Sequence, residues 1–241
     1  MCVIFFAYHH HPDFPLVLLA NRDEFYDRPT AAAGFWEDAP RIFAGRDLLF
    51  GGTWLGITET GRFAAVTNYR DPRAPKGGSS RGALVGDFLA GDVSTEEYLH
   101  DVRRRAGEFS GFNLLVGELR PEKQTLGYFS NRGNDVEMLG PGVYGLSNHL
   151  LDTPWPKVES GKNRLRALLA AAEPDKREMF EILRDRTTAA DRDLPETGVG
   201  LERERLLSSI FIETPVYGTR SSSVVLFGRD YRISLDERVY R

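Results

Sequence analysis

Residues 2–20 read CVIFFAYHHHPDFPLVLLA, two apolar runs that are joined by a turn. The runs at 2–8 and 16–20 are almost continuously apolar, and the segment between them contains two prolines. A strand with one face in water alternates apolar and polar residues, whereas a strand that is covered on both faces does not alternate. The two runs therefore predict paired strands inside a layered fold, with other elements packed on both sides.

The rest of the chain predicts strands and helices in alternating groups. Runs at 52–58 and 62–68 predict a hairpin. Farther along, the patterns predict helices at 80–89, 94–106, 156–171 and 175–186, strands at 112–119, 125–130, 136–147, 208–215 and 221–228, a mostly exposed segment at 188–205, and a closing segment at 231–240. This order differs from the βαβ alternation of a parallel sheet. We therefore expect an α+β protein, a four-layer α/β/β/α sandwich of two antiparallel sheets in one domain over residues 1–241.

The composition argues against several classes of protein. The 31 Lys and Arg and the 35 Asp and Glu residues are interspersed, so no basic block predicts binding to nucleic acid. No apolar stretch is long enough to cross a membrane, and the first apolar run is too short for a secretion signal. The single cysteine excludes an internal disulfide and a zinc-binding cysteine pair. We expect a cytoplasmic protein without a transmembrane segment, whose oligomeric state the sequence leaves open.

The single cysteine, Cys2, stands directly after Met1. Removal of Met1 would make Cys2 the terminal residue, so that one residue would carry both a thiol and a free α-amine. The thiol can attack an acyl carbon, and the amine, whose ordinary pKa is about 8, can accept the thiol proton. A cysteine that only packs inside a strand is the alternative, and the position next to Met1 favours the nucleophile.

Several motifs occur in one order along the chain. They are MC at 1–2, ANRDEFYDRPT at 20–30, AGRDLLFGGTWLGI at 44–57, FAAVTNYRDP at 63–72, YGLSNHLLDTPWPKV at 144–158 and GTRSSSVVLF at 218–227. With these motifs the sequence resembles the NRDE-motif family, also called the transport and Golgi organisation 2 family. That family is similar to the penicillin V acylase and bile salt hydrolase branch of the N-terminal nucleophile hydrolases, and this resemblance implies the four-layer sandwich.

The likeness to the acylase branch implies roles for residues of the second strand. Arg22 takes the place of an arginine that lies beside the nucleophile, where its charge would lower the pKa of the Cys2 thiol. The acylases carry an aspartate three residues later that contacts the terminal amine, but Phe25 stands at that position here. Asp23 is our candidate for the amine's partner, and Glu24 remains the alternative because strand alternation puts it on the same face as Arg22.

Three later residues also match positions of the branch. Asn68 and Asn148 each end a predicted strand and resemble its two asparagines, and the resemblance implies that both stabilise the oxyanion. Arg220 resembles a late arginine of the same enzymes. A turn-forming asparagine and a surface arginine in an ion pair are the structural alternatives. The predicted catalytic residues are therefore Cys2, Arg22, Asp23, Asn68, Asn148 and Arg220.

The sequence leaves two functions open. The first is an N-terminal-cysteine amidohydrolase that acts on an acyl amide or thioester and requires no cofactor or metal. The second, implied by the family, is a protein that binds or transfers haem or acyl-CoA without hydrolysis. The run HHH at 9–11 is a candidate for contact with haem iron, but its place in a turn favours an ordinary polar loop. The expected ligand is thus a small acyl compound or haem.

Overall fold

The computed structural model describes residues 2–73, 78–133 and 135–241. Its strands are β1 (Cys2–Tyr8), β2 (Leu16–Phe25), β3 (Thr30–Phe35), β4 (Ile42–Asp47), β5 (Leu55–Thr58), β6 (Arg62–Asn68), β7 (Phe112–Arg120), β8 (Lys123–Ser130), β9 (Glu137–Met138), β10 (Gly142–Leu146), β11 (Tyr217–Phe227) and β12 (Ile233–Val239). Its helices are α1 (Arg81–Ala90), α2 (Thr95–Arg104), α3 (Pro156–Leu168), α4 (Lys176–Leu183) and α5 (Leu201–Leu206).

Within the described ranges, the strands form two antiparallel sheets. One sheet has five strands in the order β10-β1-β2-β11-β12, and the other has seven in the order β3-β4-β5-β6-β7-β8-β9. All neighbouring strands run antiparallel. β1 and β2 pair directly, with Cys2 opposite Arg22 and Tyr8 opposite Leu16. The opening stretch thus supplies two inner strands of the five-stranded sheet, as its unbroken apolar runs predict.

The two sheets pack face to face, and helices cover their outer faces. Alternate residues of β1 show the arrangement, because Ile4 and Phe6 pack toward the seven-stranded sheet while Val3 and Phe5 pack toward α3 and α4. On the other side, α1 and α2 pack on the seven-stranded sheet. The layers are therefore α/β/β/α, and the predicted four-layer sandwich of two antiparallel sheets is confirmed.

β2 extends beyond its apolar run and carries polar residues into the interior. The apolar run ends at residue 20, but β2 continues to Phe25, and Asn21, Arg22 and Asp23 are buried. The side-chain amide of Asn21 donates hydrogen bonds of 2.8 and 3.0 Å to two backbone carbonyl oxygens, which satisfies its buried donors. Hydrophobic patterning does not predict this extension, because residues 21–24 are polar.

The four predicted helices, α1 to α4, begin within one residue of their predicted starts, while α5 begins in the segment 188–205, which the sequence predicts to be mostly exposed. Ser94 caps α2 through a capping box with Glu97, which fixes where that helix begins. α3 and α4 each end three residues before their predicted ends, at Leu168 and Leu183. In the part of the chain that the structure describes, no helix is both long and apolar enough to cross a membrane.

Two strand predictions are wrong. Residues 208–215 do not form a strand; Ile210 and Ile212 are buried in an irregular segment that pairs with the sheet only through a bridge from Glu213 to Gly218. The predicted strand at 136–147 is divided between β9 and β10, which belong to different sheets. The chain leaves one sheet and enters the other at the Gly-Pro pair 140–141, where proline has no N–H for a ladder.

β3 and β4 are absent from the sequence prediction. β3 has the sequence TAAAGF, which lacks a run of large apolar residues, and it lies half-buried at the edge of the seven-stranded sheet. Small residues at an edge give little hydrophobic signal, so patterning misses such a strand. The two strands matter for the cleft beside Cys2, because Phe50 in the turn after β4 lines that cleft.

Candidate functional site

Cys2 opens β1 and reaches a cleft of about 280 Å³. The cleft lies where β1 and β2 of one sheet meet β6 of the other sheet and the start of α1. The thiol is partly buried and stands directly opposite Arg22 in the strand pair. The described residues that line the cleft are Cys2, Arg22, Asp23, Glu24, Arg28, Asp47, Phe50, Thr53, Trp54, Val66, Asn68, Gly78, Ser79, Ser80, Arg81, Gly82 and Ser110.

Arg22 places a buried positive charge beside the thiol. Its side chain is stacked on Trp54, with the guanidinium carbon 4.1 Å from the ring centroid, and the residue is only 6% exposed. Its Nη1 atom has no hydrogen-bond partner among the described residues. Strand alternation puts Arg22 and Cys2 on the face between the sheets, where Trp54 supports the arginine from the opposite sheet.

The surroundings of the thiol nevertheless disfavour its ionised form. Burial raises the pKa of the Cys2 thiol above its ordinary value, the carboxylate of Asp23 adds to this, and Arg22 opposes it. The sequence predicts that Arg22 lowers the thiol pKa, and the direction of that single effect is correct, but burial outweighs it. A nucleophilic Cys2 therefore requires a base to remove its proton.

Asp23 and Glu24 lie in different surroundings. Asp23 is buried, and its Oδ1 accepts a 2.7 Å hydrogen bond from the hydroxyl of Thr219, while burial raises the pKa of its carboxyl. Glu24 is half-buried, and its Oε1 accepts a 2.9 Å hydrogen bond from the backbone N–H of Phe25. Both residues line the cleft. Met1 lies outside the described residues, so its removal and the partner of the terminal amine stay predictions.

The two predicted asparagines do not occupy equivalent places. Asn68 ends β6 and lines the cleft. Asn148 is fully buried behind it, and its side-chain amide donates a 2.9 Å hydrogen bond to the backbone carbonyl oxygen of Asn68. Of the two asparagines, Asn68 belongs to the cleft lining and Asn148 does not, and Asn148 fixes the backbone of Asn68. Their oxyanion roles stay predictions.

Arg220 lies in β11, beside β2, and is not among the residues that line the cleft. It is the extra residue of a β-bulge in β11, between the pairs Thr219–Asp23 and Ser221–Arg22. Its guanidinium donates to the backbone carbonyl oxygens of residues 25, 28 and 241. The bulge and these bonds hold the end of β2 in place, so that Arg220 acts on the site through the backbone of that strand.

Sequence patterns do not single out Arg81 and Lys157. Arg81 is the first residue of α1 and lines the cleft, while Lys157 is buried in α3, and its Nζ donates a 2.8 Å hydrogen bond to the carbonyl oxygen of Leu207. Burial lowers the pKa of Lys157 to about 8, and the charge of Asp23 opposes this shift. Both residues lie within predicted helices, where a basic residue ordinarily indicates a solvated face.

Among the residues that the structure describes, the histidines and the acidic residues do not form a metal site. No group of three or more His, Cys, Asp or Glu residues in the described ranges could hold a metal ion. His9 and His10 are exposed at the end of β1 that is opposite to Cys2. His11 is buried, with Nε2 3.2 Å from the carbonyl oxygen of Ala171, and its Nδ1 accepts a hydrogen bond from the N–H of Asp13.

Among solved structures, the fold is similar to that of an N-acylethanolamine-hydrolyzing acid amidase ortholog from Caenorhabditis elegans. The superposition has a TM-score of 0.52 and covers 100% of each chain, at 12% sequence identity. Identity this low supports the fold alone. The two packed antiparallel sheets with helices on their outer faces therefore represent an architecture that a hydrolase also uses.

Sequence comparison establishes the family. The chain is 38% identical over 262 residues to the Transport and Golgi organization protein 2 homolog of Bos taurus, and 37% identical over 255 residues to the homolog of Homo sapiens. Each alignment covers 99% of this chain and 92% of the relative. The family described as Transport and Golgi organisation 2 matches residues 1–241. The chain therefore belongs to the Transport and Golgi organisation 2 family.

Proposed function

We propose that the chain is an N-terminal-cysteine hydrolase that cleaves an acyl amide or thioester. The observation that carries the proposal is the position of Cys2. This sole thiol opens β1, faces Arg22 across the strand pair and reaches the cleft. The structural neighbour from Caenorhabditis elegans carries the name of an amide hydrolase, which supports amide chemistry on this fold.

The proposed reaction uses the thiol and the α-amine that loss of Met1 would leave on Cys2. The sulfur adds to the acyl carbon while the amine takes the thiol proton. The carbonyl oxygen becomes an oxyanion, and its proposed partner is the side-chain amide of Asn68, which lines the same cleft. The proton then passes to the leaving nitrogen and the C–N bond breaks. Water attacks the resulting thioester, releases the carboxylic acid and restores the thiol.

The remaining predicted residues support these steps in the proposal. Arg22 stabilises the thiolate, and Asp23 holds the terminal amine. Asn148 holds the backbone of Asn68, with which it forms a 2.9 Å hydrogen bond. The reaction needs a reduced thiol and no cofactor, which agrees with the predicted cytoplasmic location.

A second candidate function is the binding or transfer of haem or acyl-CoA without hydrolysis. Two observations favour it. The thiol pKa is raised by burial, which disfavours a nucleophile unless a base is present. Leu48, Leu49 and Phe50 are more than half exposed in the turn after β4, and Phe50 lines the cleft, so that an apolar ligand would find an apolar rim.

Mass spectrometry combined with a panel of N-acyl amides and thioesters tests the proposal. We expect the purified chain to lack Met1, to carry an acyl group on Cys2 after exposure to an activated acyl donor, and to release the acid with turnover. Cys2→Ala should abolish both acylation and turnover, whereas the matched variant Cys2→Ser should keep slow acylation because it retains a nucleophilic oxygen.

Two outcomes would contradict hydrolysis at Cys2. One is a retained Met1 with no acyl adduct, and the other is turnover that is equal in Cys2→Ala and the wild type. Titration with haemin and with acyl-CoA, followed by absorbance and thermal shift, then decides the second candidate. Saturable binding without turnover supports it, and no response to either ligand removes it.

A further inference from the structure

We propose that the cleft binds an anionic group of the ligand, a carboxylate or a phosphate, against Arg81 and the first turn of α1. Assigning that group to an acyl substrate rests on the proposed function. Binding of the anion itself does not require hydrolysis, so it can be tested separately.

The start of α1 faces the cleft without a side-chain cap. Ser80 is the N-cap residue, but its side chain makes no capping hydrogen bond, and the first turn of the helix contains no acidic residue. The N-terminus of a helix carries a partial positive charge and backbone N–H groups without intrahelical partners, which together attract anions. Ser79, Ser80, Arg81 and Gly82 all line the cleft, so a ligand there meets this helix end.

Close backbone contact fixes the first turn at the cleft wall. The backbone N–H of Thr53 donates a 3.3 Å hydrogen bond to the carbonyl oxygen of Gly82. A Cβ added at Gly52 would lie 2.5 Å from the carbonyl carbon of Gly82, and one added at Gly82 would lie 3.0 Å from Thr53 N. The two glycines therefore allow an approach that a side chain would block, and the helix end cannot withdraw from the cleft without breaking this contact.

Two arginines of the cleft carry charge that no carboxylate neutralises directly. The Nη1 atom of Arg22 is buried without a hydrogen-bond partner among the described residues. Arg81 donates a 3.2 Å hydrogen bond to the carbonyl oxygen of Gly111 and forms no ion pair within the described ranges. Arg28, in contrast, pairs with Asp47 at 2.6 Å. Because a buried cation without a counterion is costly, the buried charge of Arg22 favours an anionic ligand in the cleft, and the partly buried Arg81 adds a second positive charge at its wall.

The acidic residues of the cleft limit the site but do not fill it. Asp47 is already bound by Arg28, and Asp23 accepts a hydrogen bond from Thr219. Glu24 is the remaining carboxylate, and its Oε1 is directed to the backbone N–H of its neighbour Phe25. Glu24 should repel a bound anion, and its removal provides a test that has the opposite sign to the removal of an arginine.

These observations define a substrate class for the proposed reaction. The acyl carbon lies at Cys2, and a carboxylate or phosphate of the same compound lies at Arg81 and the start of α1. A cleft of about 280 Å³ holds a small polar group, and the exposed turn at 48–50 is available for an apolar portion. We therefore infer an acyl compound that bears an anionic group rather than a neutral amide.

The sole thiol allows a direct measurement of this preference. Iodoacetate and iodoacetamide alkylate a thiol by the same chemistry but differ in charge, so the ratio of their rates at Cys2 reports local attraction of an anion. We expect the ratio of the alkylation rate with iodoacetate to the rate with iodoacetamide to be about fivefold or more higher at Cys2 than in N-acetylcysteine. This is the size expected for one favourable charge contact in a partly buried site. Pyrophosphate and succinate, added as competitors, should slow the alkylation of Cys2 by iodoacetate. Stronger protection by pyrophosphate indicates a phosphate site, and stronger protection by succinate indicates a carboxylate site.

Paired variants separate the anion site from general effects on folding. Arg81→Gln should return the ratio toward that of N-acetylcysteine. The control Arg177→Gln changes an exposed arginine in the first turn of α4, a helix that is capped by Asp175, and should leave the ratio unchanged. Ser80→Asp should lower the ratio while thermal stability is kept or raised, because its carboxylate both caps α1 and occupies the site. Ser80→Asn should also cap the helix but lower the ratio less, because its side chain carries no charge. Glu24→Gln should raise the ratio.

The proposal fails if iodoacetate shows no preference over the free thiol, or if Arg81→Gln and Ser80→Asp leave the ratio unchanged. If Cys2 reacts with neither reagent, calorimetric titration of the wild type and Arg81→Gln with pyrophosphate and with succinate decides. Absence of saturable binding, or equal affinity in the two proteins, then overturns it. Loss of hydrolysis with a preserved anion preference would count against the proposed function alone.

Discussion

The side-chain amide of Asn148 donates a 2.9 Å hydrogen bond to the backbone carbonyl oxygen of Asn68. The backbone N–H of Arg70 in turn donates a 2.7 Å hydrogen bond to the carbonyl oxygen of Asn148. Asn148 is fully buried, whereas Asn68 is partly exposed in the cleft. The two asparagines, which the sequence presents as equals, therefore act at different depths, one at the cleft wall and the other behind it.

Substitution of the two asparagines should separate catalysis from stability. Asn68→Ala should lower kcat by about 10²–10³-fold, as expected for loss of one oxyanion donor, with little change in the free energy of unfolding. Asn148→Ala should destabilise the fold by about 1–3 kcal/mol, because the change leaves a buried carbonyl oxygen without its donor. Urea denaturation and steady-state kinetics measure the two effects. A stable Asn148→Ala variant with full activity would show that the bond between the two residues is dispensable.

The charges beside Cys2 should move its thiol pKa in opposite directions. Arg22 lowers this pKa and Asp23 raises it, so Arg22→Gln should raise the pKa and Asp23→Asn should lower it. The pH dependence of alkylation by iodoacetamide measures the pKa, because only the thiolate reacts. Arg166→Gln, in the last turn of α3, is a control that should leave it unchanged. The same direction of shift in both variants would mean that local unfolding, not charge, determines reactivity.

Apolar patterning predicts the parts of this fold in which burial and hydrophobicity coincide. β1 is of this kind, since nearly every residue in it is apolar and buried, and the four helices that cover the sheets are found near their predicted starts. The small residues of β3 are missed because they carry no hydrophobic signal, and the polar end of β2 lies outside the apolar run for the same reason. The segment 208–215 fails for the opposite reason, since its apolar residues are buried without entering a sheet.

The candidate site divides along similar lines. Cys2 and Arg22 are found opposite each other, as the turn between two adjacent strands requires. Arg81 is missed because its position depends on the close contact between Gly52 and Gly82, which joins segments that are distant in the sequence. Lys157 is missed because a lysine in a helix ordinarily faces water, and only the tertiary structure shows that its ammonium group is enclosed.

Lys157 should make the protein more stable as pH rises above 8. Burial lowers its pKa to about 8 from an ordinary 10.5, so between these values the unfolded chain binds a proton that the folded chain has lost. The contribution of Lys157 to stability then increases with pH, by about 1–2 kcal/mol between pH 8 and 9.5. The raised pKa of the Cys2 thiol acts in the opposite direction in this range, so the rise is taken as the difference between the wild type and Lys157→Met. Denaturation in urea across this range measures the rise. Lys157→Met should abolish it, whereas Lys176→Met, which changes a lysine of the surface pair with Asp236, should keep it.

The urea denaturation series must end below the pH at which tyrosine side chains of the unfolded chain lose their protons. Burial raises the pKa of Tyr128 to about 12 and also raises that of Tyr98, so the unfolded chain loses these protons first. Their contribution to stability therefore falls as pH rises through the ordinary tyrosine value near 10, which opposes the effect of Lys157. A wild-type curve that is flat or falling from pH 8 to 9.5, and that is matched by Lys157→Met, would contradict a neutral buried lysine.

Gly161 sets how closely α3 packs on β1, and alanine at this position should destabilise the fold. A Cβ there would lie 2.2 Å from Cζ of Phe5, well inside van der Waals contact. Alanine in a helix ordinarily raises the free energy of unfolding by up to about 1 kcal/mol relative to glycine. Here overpacking against Phe5 should instead lower the free energy of unfolding by about 1–3 kcal/mol net. Gly107→Ala, at a position where nothing lies within 4 Å of the new Cβ, is the matched control and should change stability little.

A double-mutant cycle identifies Phe5 as the cause of the predicted loss. Phe5→Leu removes the ring atoms that an alanine at 161 would meet, so the combined variant Phe5→Leu, Gly161→Ala should be more stable than the sum of the two single changes implies. Urea denaturation of the four proteins gives the coupling energy, which we expect to be favourable and about 1 kcal/mol or more. If the effects of the two single changes are strictly additive, the strain lies elsewhere along α3. The close approach of α3 to β1 would then not depend on the absence of a side chain at residue 161.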